Sequence, residues 1–297
     1  ARGDHTPPRP GTRGHGPFTG RRARGDNRRV RILLIGTYEL GRQPFGLASP
    51  AAWLRREGHD VRCIDTSRTP LSTRDLDHVA LVGFHLPMHT ATRLALPLIA
   101  RVREAAPGAA LCAYGLYAPV NEGLLREAGV DEVLGAEFEA DLCGVAAGER
   151  ADGPAGRLPR LDFVVPDRSD LPPLERYARL RLPNGARRVA GYTEASRGCL
   201  HLCRHCPVVP VYGGHLRIVS ADVVLEDVAR QVEAGAVHVT FGDPDFLNGP
   251  RHALTIVERL AQRFGGLTYD VTIKVEHLLK HAALLPRLRD TGCLFVT

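Results

Sequence analysis

Residues 187–214 read RRVAGYTEASRGCLHLCRHCPVVPVYGG, and this stretch decides the fold. Val189 to Thr193 has the character of a strand, and directly after it Cys199, Cys203 and Cys206 stand at C-x3-C-x2-C spacing. Gly198 precedes the three cysteines and Gly213-Gly214 follows them, so the backbone can wrap closely round a compact object. Downstream, helical patterns at Ser220 to Ala234, Pro250 to Phe264 and His281 to Asp290 (despite Pro286) alternate with strands at Ala236 to Phe241 and Leu267 to Val275. A fourth strand begins at Leu294 to Val296. Three βα units and a strand predict a parallel sheet in the first half of a βα barrel, cut off near its fourth strand.

Upstream, VRILLIG at Val30 to Gly36 is a continuous apolar run of the kind buried on both faces of a sheet. Further strand runs are Val61 to Asp65, Val79 to Phe84, Ala110 to Tyr114 and a weaker Glu132 to Leu134. Helical patterns lie at Thr92 to Ala105, Asn121 to Ala128 and Glu139 to Ala147. Ser49-Pro50 reads as an N-cap and first helical position, with Gly58 closing that helix. The alternation predicts an N-terminal doubly wound α/β domain over 30–148, followed by a Pro, Gly and Arg-rich linker over 149–187 and a second domain over 188–297.

The formal charge of +6 is confined to the opening: residues 1–29 hold eight Arg and two Asp, which leaves 31 basic and 31 acidic residues elsewhere. A leader of that composition cannot bury a core and is expected to be disordered, so the charge argues against nucleic acid as a partner of the folded part. No apolar stretch reaches the length of a membrane span, and no secretory signal opens the chain. A soluble cytoplasmic protein is expected. Ala1 at one end and Thr297 inside a β-branched run at the other make an internal piece of a longer protein the expectation. Cys63, Cys112, Cys143 and Cys293 are scattered through apolar runs and read as small core residues rather than a disulfide framework.

The chemistry therefore concentrates at Cys199, Cys203 and Cys206. Three thiolates hold three irons of a [4Fe-4S] cube and leave the fourth iron open to a chelating small molecule. The competing reading is a closed Cys3His zinc site completed by His201 or His205, which would make the chain a zinc-stapled binding module without enzymatic activity. Zinc knuckles stabilise small domains without a core, whereas this loop sits inside a large α/β unit.

C-x3-C-x2-C after the first strand of a βα series resembles the signature of the radical S-adenosylmethionine (radical SAM) superfamily. The resemblance implies a [4Fe-4S] cluster that reduces S-adenosylmethionine (SAM) to methionine and a 5′-deoxyadenosyl radical, which takes hydrogen from an unactivated carbon. It also implies that Gly242 and Asp243, after the second strand, hold the amino group of SAM, although Gly-Asp-Pro is also ordinary turn chemistry. His205 stands where the family has an aromatic residue near the adenine, and Lys274 and Glu276 end the predicted third strand, where polar contacts to SAM are common. The segment CRHCPVVPVYGG resembles a branch named for a Cys-x-Ala-Glu-Pro tail, a tail that would lie outside this sequence.

The first domain resembles the Rossmann-like cobalamin (B12)-binding domain of one branch of that superfamily. Ligands of such sheets sit over the carboxyl strand ends, where Gly36, Gly83 and Gly115 are placed. The D-x-H-x-x-G motif of a cobalt-ligating histidine is absent, so the resemblance implies no lower histidine ligand; a scaffold without cofactor is the other reading. Cobalamin-linked methylation or rearrangement of a peptide or small metabolite is expected, with cobalamin-independent oxidation or methylthiolation as the alternative. The resemblance further implies an electron donor such as flavodoxin or ferredoxin.

Overall fold

The computed structural model describes residues 29–135, 137–151, 158 and 160–297. Residues 1–28, most of the Arg-rich opening, lie outside the described residues, as do parts of the 149–187 stretch. The apolar run of the N-terminal half forms β1 (Arg31–Gly36), which pairs in parallel with β2 (Asp60–Asp65) and β3 (Leu81–His85). With β4 (Ala110–Tyr114) and β5 (Glu132–Val133) the sheet has the order β2-β1-β3-β4-β5. This is a doubly wound parallel sheet whose order reverses between β1 and β3, the crevice where such folds bind ligands.

Burial on both faces explains why β1 carries no polar alternation. Ile32 and Leu34 pack with Leu47, Ala51 and Leu54 of α1 (Phe45–Arg56) and Leu142 of α4 (Phe138–Ala146). Leu33 and Ile35 pack on the other face with Ile99 and Val102 of α2 (His89–Ala105) and Leu125 of α3 (Glu122–Glu127). One helix start differs from the sequence reading. α1 begins at Phe45 after Pro44, so Pro50 lies inside it and Ser49 is no cap. The missing N–H of Pro50 frees the carbonyl of Gly46 four residues back, and the Tyr114 hydroxyl donates to that oxygen at 3.0 Å. Tertiary structure thus satisfies what a local rule reads as a helix end.

The second sheet has the order β12-β11-β10-β7-β6. β7 (Arg187–Thr193), β10 (His238–Phe241), β11 (Thr268–Val271) and β12 (Cys293–Val296) run parallel, and β6 (Arg179–Arg181) lies antiparallel on the outer edge of β7. It curls into half of a barrel. Between the strands come a hairpin of β8 (Ser196–Gly198) and β9 (Leu216–Ile218) that encloses the short α5 (Val209–Tyr212), then α6 (Ala221–Glu233), α7 (Pro250–Arg263), α8 (Val275–Lys280) and α9 (Leu285–Asp290). Val224 and Val228 of α6 with Ile256, Val257 and Leu260 of α7 close the core over Val239, Phe241, Tyr269 and Val271. Among the described residues no helix is long and apolar enough to cross a membrane.

The described part of the Pro-rich stretch is bonded to both sheets. Arg168 donates to Asp227 on α6 at 2.9 Å, to the Tyr192 carbonyl at 2.7 Å and to Gln43 at 3.0 Å. Asp170 accepts from Arg55 at 2.5 Å and from the Cys63 amide at 3.1 Å.

Candidate active site

The Cys-bearing loop is held as an arch. β8 and β9 pair at its feet, Ser196 with Ile218 and Gly198 with Leu216. Gly198 has φ +74, and a Cβ there would meet the His215 carbonyl at 2.2 Å, so the foot of the arch requires glycine. Inside the arch the Cys206 amide donates to the Cys203 carbonyl at 3.2 Å and the Val209 amide to the Cys206 carbonyl at 3.2 Å, which folds the peptide back on itself. Cys199, Cys203 and Cys206 are free thiols of intermediate burial. The Asn248 carboxamide, in the turn after β10, donates to Cys199 Sγ at 3.4 Å, and its oxygen accepts from the Leu200 amide at 3.3 Å.

This donor set fits a [4Fe-4S] cluster. Three half-exposed thiols share one arch, and an amide N–H aimed at a ligand sulfur is one of the levers that tune such clusters. A closed zinc site needs four donors at about 2.0–2.3 Å from the ion. Among the described residues the donors that converge within 4.8 Å of one another are His201, Asp245 and His277, with no thiol in the set. The other four cysteines behave as core. Burial raises the thiols of Cys63 and Cys112 far above the ordinary range, Cys143 to about 12 and Cys293 to about 11.

The remaining sequence-predicted residues are distributed unevenly. Asp243 is buried, and its carboxylate is occupied by the arch: it accepts from Ser196 Oγ at 2.5 Å and from the Ala195 amide at 2.9 Å. Burial pushes its carboxyl up to about 7 against those two hydrogen bonds. Gly242 makes room for the Tyr192 phenol, since a Cβ there would lie 1.9 Å from the Tyr192 hydroxyl, and it also lines the cavity between the sheet ends. β11 stops at Val271, so Lys274 and Glu276 do not end a strand: Lys274 caps α8 and Glu276 lies in its first turn. The two pair at 2.8 Å on the exposed rim, and Lys274 Nζ also lies 3.1 Å from His201 Nδ1. That mutual contact raises the Lys274 pKa and lowers that of Glu276. His205 is exposed at the tip of the arch.

On the first sheet, Gly36 ends β1 and Gly115 follows β4 with φ +103, but Gly83 is mid-strand in β3. Its missing side chain makes room for Tyr114 and Leu34, each 3.0 Å from where a Cβ would be. The side chain at the end of β3 is His85, which the sequence reading missed. Its ring lies 5.5 Å from Tyr114 and 6.2 Å from Phe138, Nδ1 is 3.3 Å from Glu39 Oε2, and a Cβ on Gly46 would strike it at 2.1 Å.

The arch then closes over this sheet end through Arg197 of β8. Its buried guanidinium forks onto Glu139 at 3.0 and 2.7 Å, while Nε donates to Glu194 at 2.8 Å. Glu139 also accepts from Ser49 Oγ at 2.7 Å, and Tyr212 of α5 donates to Glu137 at 2.9 Å. Burial pushes the Glu137 carboxyl up to about 7, with Arg197 pulling the other way, and burial also raises Glu194. What remains between the two sheet ends is a cavity of about 220 Å³ lined by Glu39, Arg42, His85, Tyr192, Glu194 and Arg197 among others. Sites that bury a drug-sized ligand hold about 300–1,000 Å³, and a corrin is larger than such ligands. With the Arg197 contacts in place, the cavity is smaller than a corrin.

No protein-family model matches the chain, and no curated protein matches it in sequence. Solved structures do. The radical S-adenosylmethionine methyltransferase TsrM from Kitasatospora setae, with tryptophan substrate and the SAM analogue aza-SAM bound, superposes with a TM-score of 0.65 at 17% identity over 91% of this chain. The same enzyme with cobalamin and a [4Fe-4S] cluster bound gives a TM-score of 0.65 at 16% identity. The likeness is one of fold. This chain spans 58% of the length of that enzyme's chain, and both the doubly wound sheet and the curled half-barrel fall within the likeness.

Proposed function

We propose that this chain carries the cluster-binding half of a radical SAM enzyme. The observation that carries the reading is the arch: three free thiols on one loop at the carboxyl end of β7, with Asn248 donating to one of them. When bound, the cluster and SAM together supply one-electron cleavage of a carbon–sulfur bond. The chain's own residues do the positioning. Ser196, Ala195 and Asp243 fix the feet of the arch, Asn248 orients Cys199, and Arg197 anchors the arch to the first sheet. A peptide or small metabolite as substrate, and flavodoxin or ferredoxin as electron donor, belong to this proposal.

The small cavity at the first sheet end supports radical chemistry without a corrin, such as oxidation or methylthiolation. A second reading, cobalamin-linked methylation or rearrangement, is favoured by the fold likeness to TsrM and would require the Arg197 clamp to open. Anaerobic reconstitution with iron and sulfide is expected to yield about four irons per chain and release of 5′-deoxyadenosine from SAM under reduction. One tightly bound zinc held by the three thiols, with no SAM cleavage, would reject the proposal in favour of the non-enzymatic binding module. Corrinoid absorbance that survives gel filtration would select the cobalamin reading, and its loss to the filtrate the other.

A further inference from the structure

Beside the arch, at the carboxyl ends of three successive strands, three side chains from different elements converge. His201 lies in the arch between Cys199 and Cys203, Asp245 in the turn after β10, and His277 in the first turn of α8. Asp245 Oδ2 lies 2.8 Å from His277 Nδ1 and 3.5 Å from His201 Nε2, and all three atoms fall within 4.8 Å of one another. Asp245 and His277 are 2% and 8% exposed.

These distances invite a hydrogen-bond explanation, and the directions reject it. His201 Nε2, Asp245 Oδ2 and His277 Nδ1 are each buried without a hydrogen-bond partner. An orphaned buried polar atom costs about 1–3 kcal/mol, so three pointing into one spot is an arrangement that a chain does not keep without a compensating group. Two imidazole nitrogens and a carboxylate oxygen are the donors that first-row divalent metals prefer. Around a tetrahedral ion with bonds of about 2.0–2.2 Å, neighbouring donors sit roughly 3.4 Å apart, and the observed separations bracket that value.

We propose that His201, Asp245 and His277 form a mononuclear site for a divalent transition-metal ion of the zinc or iron(II) class, separate from the cluster thiols. Three protein ligands leave a coordination position open, as in metal sites that bind water or a substrate atom. The open side lies next to the arch, because His201 belongs to it. The ion would therefore hold an oxygen or nitrogen donor of the substrate beside the cysteine loop.

Lys274 supplies a built-in competitor. An ammonium has only donors, so its 3.1 Å contact to His201 Nδ1 needs the lone pair there and places the ring proton on Nε2. Metal on Nε2 requires the opposite tautomer. Lys274 must then turn wholly to Glu276, already 2.8 Å away.

The test is cobalt(II) titration of the cluster-loaded protein, in which the three thiols are already committed to iron. One equivalent is expected to bind with visible d–d bands and without sulfur-to-cobalt charge transfer. Asp245→Asn keeps the side-chain oxygen that accepts from the Leu247 amide at 3.2 Å and should fold; together with His277→Ala it should weaken cobalt roughly a hundredfold or more, beyond what a supporting residue costs. Lys274→Met, on the exposed rim, should tighten it roughly threefold by removing the competing donor. Failure of the wild-type protein to bind a stoichiometric equivalent overturns the site, as does unchanged affinity in a folded Asp245→Asn variant. Charge-transfer bands would also overturn it, by showing thiolate ligation.

Discussion

The carboxyl ends of the two parallel sheets border the same cavity, and they are finished in opposite ways. At the first sheet, His85 fills the end of β3 against Gly46, and Phe138, Tyr114 and the Arg197 clamp cover the rest. At the second, the arch stands half-exposed, with Leu202 67% exposed beside the cysteines and three orphaned polar atoms beneath. Both ends occupy the place where α/β folds bind ligands. Topology nominates such a place and side chains finish it: here the first end is covered by the Arg197 contacts, and the second leaves the thiols of the arch half-exposed.

Several substitutions would break or sharpen that contrast. Cys203→Ala should abolish the cluster's iron and its acid-labile sulfide after reconstitution, whereas Cys112→Ala, buried in the first sheet, should leave both unchanged; iron and sulfide analysis checks both. Arg197→Met removes the cation that bonds Glu139 and Glu194, and should cost about 3–5 kcal/mol in chemical denaturation, the usual cost of breaking a buried ion pair. A loss below about 1 kcal/mol would show that the clamp does not hold the arch.

The pH dependence of stability follows from the same anchor. Glu137 and Asp243 both hold their protons up to about 7 in the folded protein. As pH rises from the ordinary carboxylate range toward 7, the unfolded chain releases protons that the folded chain keeps, so stability falls with rising pH. Urea melts should show a drop of about 2–3 kcal/mol for each of the two groups between pH 5 and pH 8, and Glu137→Gln should remove about half of the total. An increase in stability over that interval would contradict the burial of both groups. Smaller again, Tyr114→Phe should cost about 1 kcal/mol by leaving the Gly46 carbonyl unpaired. Leu202→Ser, on the exposed arch, should stay within about 0.5 kcal/mol, measured by thermal unfolding.

Much of this architecture was legible in residue order. Nine strand segments are visible as apolar or alternating runs, because a strand buried on both faces cannot hide its composition. The missed elements are short and edge-bound: β6, β8 and β9 span three residues each, below the length at which any period shows. Gly83 lies mid-strand and admits the Tyr114 ring, and Gly242, which lines the cavity, admits the Tyr192 ring. A glycine in sequence says only that no side chain is there, not what takes the space. Lys274 and Glu276 were placed at a strand end because Leu267 to Val275 alternates, yet pairing along β11 ends at Val271.

Spacing along the chain was enough to single out Cys199, Cys203 and Cys206, since ligands for a compact inorganic object can come from one short loop. Composition was enough for the parallel sheets. The covered first sheet end, the Arg197 anchor and the convergence of His201, Asp245 and His277 rest largely on residues far apart in the chain, 32 positions for Asp245 and His277 and 148 for Ser49 and Arg197. No local period reports such contacts, because they exist only once the packing of helices on the sheets has set the distances, and only then does burial turn an ordinary carboxylate or imidazole into a group that must find a partner.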